Sequence, residues 1–298
     1  MNKYKNLIKK NDLKVNKVTI KGNLTIISTP LGQFVLKENK GIKIYDYLLS
    51  RGFNYFPSII DYDNEGILFK YIQPVDYNYN EKARDLVKLL TLLHSKTTYF
   101  IDVESNDIIK LYESIKDDIN DKYLFYNNLI NIIDNKEYPS PNEYLIQKSI
   151  SLILSAINYC FSKLEEWKDA CLNDNKKRIV TIFNNNSLNN VIRDKENIYL
   201  LNLENTKIDN PIYDLIDLYN RYYKDLDFIS LLEYYEKYFP LLKNEKVLFL
   251  LLISIPEKVD IKDIIDIKNK IEKVYKSLEI LNFEEEKTRN THKNENNK

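Results

Sequence analysis

Residues 15–37 alternate apolar and polar side chains in three short runs, 15–20, 25–28 and 33–37, which is the period of half-buried strands. Gly22-Asn23 and Pro30-Leu-Gly32 fall between these runs and supply turn chemistry. Residues 40–50 change to helical spacing and stop near Gly52. Residues 58–62 and 66–71 then predict two more strands, joined through Asp63-Asn64. After Pro74 the period stays helical: 81–96, 105–134 and 141–170 each carry an apolar stripe. Pro139-Ser-Pro141 separates the last two, and Ser140 or Asn142 is placed to cap the later helix. A strand–loop–strand unit is expected over 178–203, then helices to about residue 282. All 5 glycines lie at or before Gly66, so tight backbone geometry is concentrated in the N-terminal part.

This pattern predicts an α+β, two-lobed fold. Residues 1–73 form a β-rich lobe with one helix, and 74–283 a larger, mainly helical lobe that contains the hairpin 178–204. Residues 284–298 are charged and polar with no apolar face, which predicts a disordered tail and leaves His292 without a role. The most apolar run, 247–255, is about half the length that crosses a bilayer, so a buried helix and no membrane insertion are expected. The first ten residues lack the apolar run of a signal peptide.

Composition narrows the partners more than the fold. Lys+Arg and Asp+Glu are both 44, which gives no general attraction to nucleic acid or to an anionic membrane. Cys160 and Cys171 fall in one helical stretch and read as reduced thiols, so a cytoplasmic location is expected. No zinc spacing, Walker loop, nucleophile elbow or Rossmann fingerprint occurs. The 24 tyrosines, clustered at Tyr71/Tyr77/Tyr79, Tyr219/Tyr222/Tyr223 and Tyr234/Tyr235/Tyr238, have two readings. They fit a codon bias that also favours Asn, Ile and Lys, or a protein-binding surface that buries amphipathic rings.

The candidate chemistry lies in an ordered set of short motifs: Phe34-Val-Leu-Lys37, Gly66-Ile-Leu-Phe-Lys-Tyr-Ile-Gln-Pro74, Leu86-Val-Lys-Leu-Leu-Thr-Leu-Leu-His94, the segment from Arg178 to Glu204, and Pro211-Ile-Tyr-Asp-Leu215. Over residues 15–240 this set resembles the aminoglycoside phosphotransferase and choline kinase branch of the protein-kinase-like superfamily. Within that branch it is similar to spore-coat-associated kinase-like proteins. The resemblance implies ATP positions at Lys37 (phosphates), Gly22 (phosphate-covering turn) and Tyr71 (adenine hinge). It puts Phe183 in the histidine position, Asn185 in that of the catalytic aspartate and Asn190 in that of the metal-binding asparagine. Asn202 stands for the metal-binding aspartate, Glu204 keeps the next acidic position, and Asp214 is expected to brace a helix. The family's lysine-pairing glutamate aligns with Lys43, with Asp46 a nearby acidic candidate. His94 reads as a structural helix-end residue.

The departures carry the functional expectation. An amide at Asn185 has the shape of a carboxylate without its basicity, and general-base assistance is worth about 10²- to 10⁴-fold. Magnesium favours hard, charged oxygen ligands, and Asn202 removes one. The expectation is a kinase-like pseudoenzyme with no assigned catalytic residue or cofactor, serving as a binding or structural module, with spore-coat association implied by the resemblance. Its partner would be a protein the sequence does not identify. A divergent small-molecule phosphotransferase, using ATP and Mg2+ held through Asn190, Asn202 and Glu204, is the alternative. A helical interaction protein without kinase ancestry is the second.

Overall fold

The computed structural model describes residues 2–22, 24–173 and 176–296, with side chains described for 3–22, 24–173 and 176–289. In chain order the elements are α1 (Lys5–Lys10), β1 (Lys17–Lys21), β2 (Leu24–Thr29), β3 (Gly32–Glu38), α2 (Ile42–Ser50), β4 (Ile59–Tyr62), β5 (Gly66–Lys70) and α3 (Tyr79–Thr97). Then follow β6 (Tyr99–Asp102), α4 (Ser105–Asp134), α5 (Pro141–Asn173), β7 (Lys176–Ile182), β8 (Val191–Arg193), β9 (Ile198–Leu200) and β10 (Lys207–Asp209). Helices α6 (Ile212–Tyr222), α7 (Phe228–Tyr238), α8 (Lys243–Ser254) and α9 (Ile264–Asn296) complete the order. The fold class is as expected: α+β, with an antiparallel five-stranded N-terminal sheet and a mainly helical C-terminal part.

By internal packing the chain forms two compact units. The first joins residues 1–98 to 180–209, and the second joins 99–179 to 210–298. Residues 180–209 thus fall in the same unit as the N-terminal sheet.

In the first unit the sheet order is β1-β2-β3-β5-β4, antiparallel throughout. The strand period of two divides its side chains between the faces. Ile27, Leu36 and Leu68 pack with Tyr4 and Leu7 on one face. Ile26, Val35, Lys37 and Phe69 point to the other and line a cavity. Helix α1, which the sequence did not predict, closes the first face: Leu7 is fully buried. Gly66 is needed there, because a Cβ at this position would lie 2.7 Å from the Tyr4 ring. Helix α2 starts where Asn39 Oδ1 accepts the Ile42 N–H (3.1 Å). It buries Tyr45, whose ring lies 5.1 Å from that of Phe56 and 5.6 Å from that of Phe69.

In the second unit β6 pairs with residues 176–179 of β7, and α4 and α5 pack as a long helical hairpin. Ser140 caps α5 reciprocally: its N–H donates to Glu143 (2.8 Å) and its Oγ accepts the Glu143 N–H (3.4 Å). Residues 247–254 form the expected buried helix within α8, with Phe249 and Leu251 fully buried. No helix among the described residues is long and apolar enough to cross a membrane. Helix α9 runs to Asn296, through the stretch from residue 284 that the sequence expects to be disordered. At the start of that stretch Glu284 is 3% exposed and accepts a hydrogen bond from Lys246 (2.8 Å).

Candidate functional site

The first unit brings four of the expected residues into one connected group. Lys37 projects from β3, opposite Ile67 of β5. Its Nζ donates to Asn202 Oδ1 (2.6 Å) and to the Glu204 carboxylate. Asn202 Nδ2 donates to Asn190 Oδ1 (2.6 Å), and Asn190 Nδ2 donates to the Asn185 carbonyl (2.9 Å). The Lys37 and Glu204 side chains are 14% and 16% exposed, so the ion pair is largely screened from water.

Local backbone geometry sets this chain of contacts. Asn184 and Asn202 both occupy the left-handed region, with φ of 57° and 61°. Asparagine tolerates that region far better than branched residues do. A 3₁₀ turn at Leu203–Asn205 follows Asn202 and turns Glu204 toward Lys37. Phe183 and Leu188 are buried beneath the loop, and the Leu201 N–H donates to the Asn190 carbonyl (2.8 Å), which ties its two ends.

Lys43 does not pair with Lys37, as its like charge implies, and the acidic candidate Asp46 does not reach it. Lys43 and Asp46 are both exposed on α2, because the helix turns Tyr45 and Leu48 inward instead. The carboxylate against Lys37 comes from Glu204, 167 residues away in sequence. Burial pushes the Tyr45 phenol up from its ordinary value, and the negative charge of Glu204 adds to the effect.

Beside this group lies a cavity of about 290 Å³. Its walls are mainly apolar, from Leu24, Ile26, Val35, Phe69, Ile72 and Leu200, with Tyr71 on one side and Lys37 and Asn202 at the polar end. Tyr71 is thus placed with the cavity. Gly22 sits at the β1–β2 turn with φ +57°, and Asn23 beside it lies outside the described residues. Asn185 enters the group through its backbone carbonyl.

The sequence reading missed a second pair. Asp85 of α3 and Arg193 of β8 form a two-pronged ion pair at 2.8 and 2.9 Å, with Tyr77 under the guanidinium at 4.7 Å. Burial pushes the Tyr77 phenol up to about 12, and the Asp85 charge contributes. This pair fixes the β8–β9 hairpin to α3, next to the cavity wall formed by Ile192 and Leu200. A charged residue on an otherwise amphipathic helix was the only sequence signal for it.

A five-stranded antiparallel sheet packed with this hairpin defines a kinase-like fold, which excludes a purely helical protein. The solved aminoglycoside phosphotransferase from Alicyclobacillus acidocaldarius has the same fold, with a TM-score of 0.59 at 10% identity over 93% of each chain. Choline kinase LicA from Streptococcus pneumoniae aligns over 94% of this chain and 99% of its own at 15% identity, with a TM-score of 0.48. No protein-family model and no curated protein matches the chain.

The nucleotide and magnesium that the sequence resemblance implies fit the residues unequally. The apolar cavity suits a planar heteroaromatic group. The polar end offers one carboxylate, already paired with Lys37, and two amides already bonded to each other. Among the described residues no three His, Cys, Asp or Glu side chains gather as metal ligands. That donor set does not fit magnesium.

Proposed function

We propose that this chain is a kinase-like protein that does not transfer phosphoryl groups and serves as a binding module for a protein partner. The observation that carries the reading is the closed Lys37–Glu204, Asn202–Asn190 network. Each group that would meet phosphate or metal already satisfies another, so binding Mg-ATP would mean breaking the ion pair without a second carboxylate to hold the metal. Asn185 adds no base. A cytoplasmic protein, or one assembled into a spore coat as the sequence resemblance implies, is the setting we propose.

The test is thermal stability with and without Mg-ATP, since a ligand that binds only the native state raises it. The wild type is expected to show no magnesium-dependent rise, and Asn185→Asp/Asn202→Asp to gain one. A magnesium-dependent rise in the wild type, with phosphotransfer lost in Lys37→Ala, would overturn the proposal. It would establish the second reading, a divergent small-molecule phosphotransferase. One observation favours that reading: the apolar cavity persists beside Lys37.

A further inference from the structure

We propose that Lys37 and Asn202 become joined by an intramolecular isopeptide bond, with Glu204 as the acid–base group. Such a bond needs an amine held against a side-chain amide, a carboxylate touching the amine, and surroundings poor in water. All three conditions meet here. Lys37 Nζ lies 2.6 Å from Asn202 Oδ1 and is also hydrogen-bonded to the Glu204 carboxylate. The Lys37 and Glu204 side chains are 14% and 16% exposed, and the adjoining cavity is walled by Ile26, Val35, Phe69 and Tyr45. The amide is held in one orientation, because its Nδ2 donates to Asn190 Oδ1 at 2.6 Å and so leaves the carbonyl toward the lysine.

The step balances without a co-reactant. Glu204 takes one proton from the Lys37 ammonium, and the freed lone pair attacks Asn202 Cγ. A second proton passes from the attacking to the departing nitrogen as the Cγ–Nδ2 bond breaks. Ammonia leaves and takes the Glu204 proton with it as ammonium. The products are a secondary amide, an ammonium ion and the original carboxylate. Amides are poor electrophiles in dilute solution, but reacting groups held in a near-attack geometry reach effective concentrations of about 10⁵–10⁸ M, and here Nζ is held on the oxygen bonded to the carbon it attacks. A positioned acid–base group adds about 10²- to 10⁴-fold. The bond would clasp positions 165 residues apart and remove the lysine charge from the cavity.

Intact mass spectrometry of the purified full-length chain, incubated without nucleotide, tests this independently of the functional reading above. The expected mass is lighter than the sequence mass by one ammonia, about 17 Da. Peptide mapping should recover the Lys37 and Asn202 peptides as one branched species. Glu204→Gln is expected to stay at full mass, with a native circular dichroism spectrum showing that it has folded. A wild type at full sequence mass after prolonged incubation overturns the proposal, as does a mass deficit that maps elsewhere. Linkage in Glu204→Gln as complete as in the wild type overturns the role of the carboxylate.

Discussion

Removing either partner of the Asp85–Arg193 pair should destabilise the protein, and by unequal amounts. The Asp85 side chain is 9% exposed and that of Arg193 36%, although they share the same two hydrogen bonds. Arg193→Ala strands a buried carboxylate, and breaking a buried pair in this way costs about 3–5 kcal/mol. It also removes the guanidinium from the Tyr77 ring. Asp85→Ala leaves a cation that already reaches water, so its cost falls toward the about 1–3 kcal/mol of a lost charged hydrogen bond. The double variant should recover part of the sum, because the stranded carboxylate is then absent, with a coupling energy of about 1–3 kcal/mol. Urea unfolding monitored by circular dichroism measures all three, provided the dependence on urea concentration is unchanged. An Asp85→Ala cost equal to or above that of Arg193→Ala, or a coupling near zero, would refute the reasoning.

Gly66→Ala should cost about 1–3 kcal/mol by overpacking against Tyr4, and less in a Tyr4→Ala background, where only the 3.3 Å approach to the Lys37 carbonyl remains; chemical denaturation of the wild type and the three variants checks this. Lys136 and the Ser140 N–H lower the Glu143 carboxyl from 4.5 to about 2. Its contribution to stability is therefore full above about pH 4.5 and is lost as pH falls toward 2. The melting temperatures of wild type and Glu143→Gln should accordingly converge over that window, and a constant difference would contradict it. Burial pushes the Cys160 thiol up to about 12. In a Cys171→Ser background a thiol reagent at pH 8 should therefore react only after denaturant is added.

The first strands of the N-terminal sheet were legible because they alternate, with turn residues between them, and β5 as a short apolar run, Ile67-Leu-Phe69, opened by Gly66. Helix α1 was not, because six residues with one buried side chain cannot establish a helical period. Strand β6 was not, because Tyr99 to Asp102 are all exposed and show no alternation. Lys37, Asn190, Asn202 and Glu204 could be picked out from motif spacing, but their mutual bonding could not. Contacts that span 165 and 167 residues depend on the folded sheet and on two left-handed asparagines. The same limit applies to α2: Lys43 is exposed, in keeping with a residue that cannot pair with Lys37, but sequence spacing did not give the helix phase, which leaves Asp46 exposed too and turns Tyr45 inward. At the C-terminus the charges of residues 284 onward read as solvated. Lys246 of α8 instead pairs with Glu284 of α9 and Glu236 of α7, and Lys287 of α9 lies 3.5 Å from Glu233 of α7.

The left-handed backbone at Asn202 also bears on how this molecule can change over generations. Aspartate and glycine share asparagine's tolerance for that conformation, whereas valine, isoleucine and threonine do not. Neutral amide, acid and bare backbone are thus the choices that position 202 accommodates without backbone strain. A negative charge at the cavity rim can be gained or discarded there without redrawing the chain path. Evolutionary reversibility is built into that one residue's torsion angle.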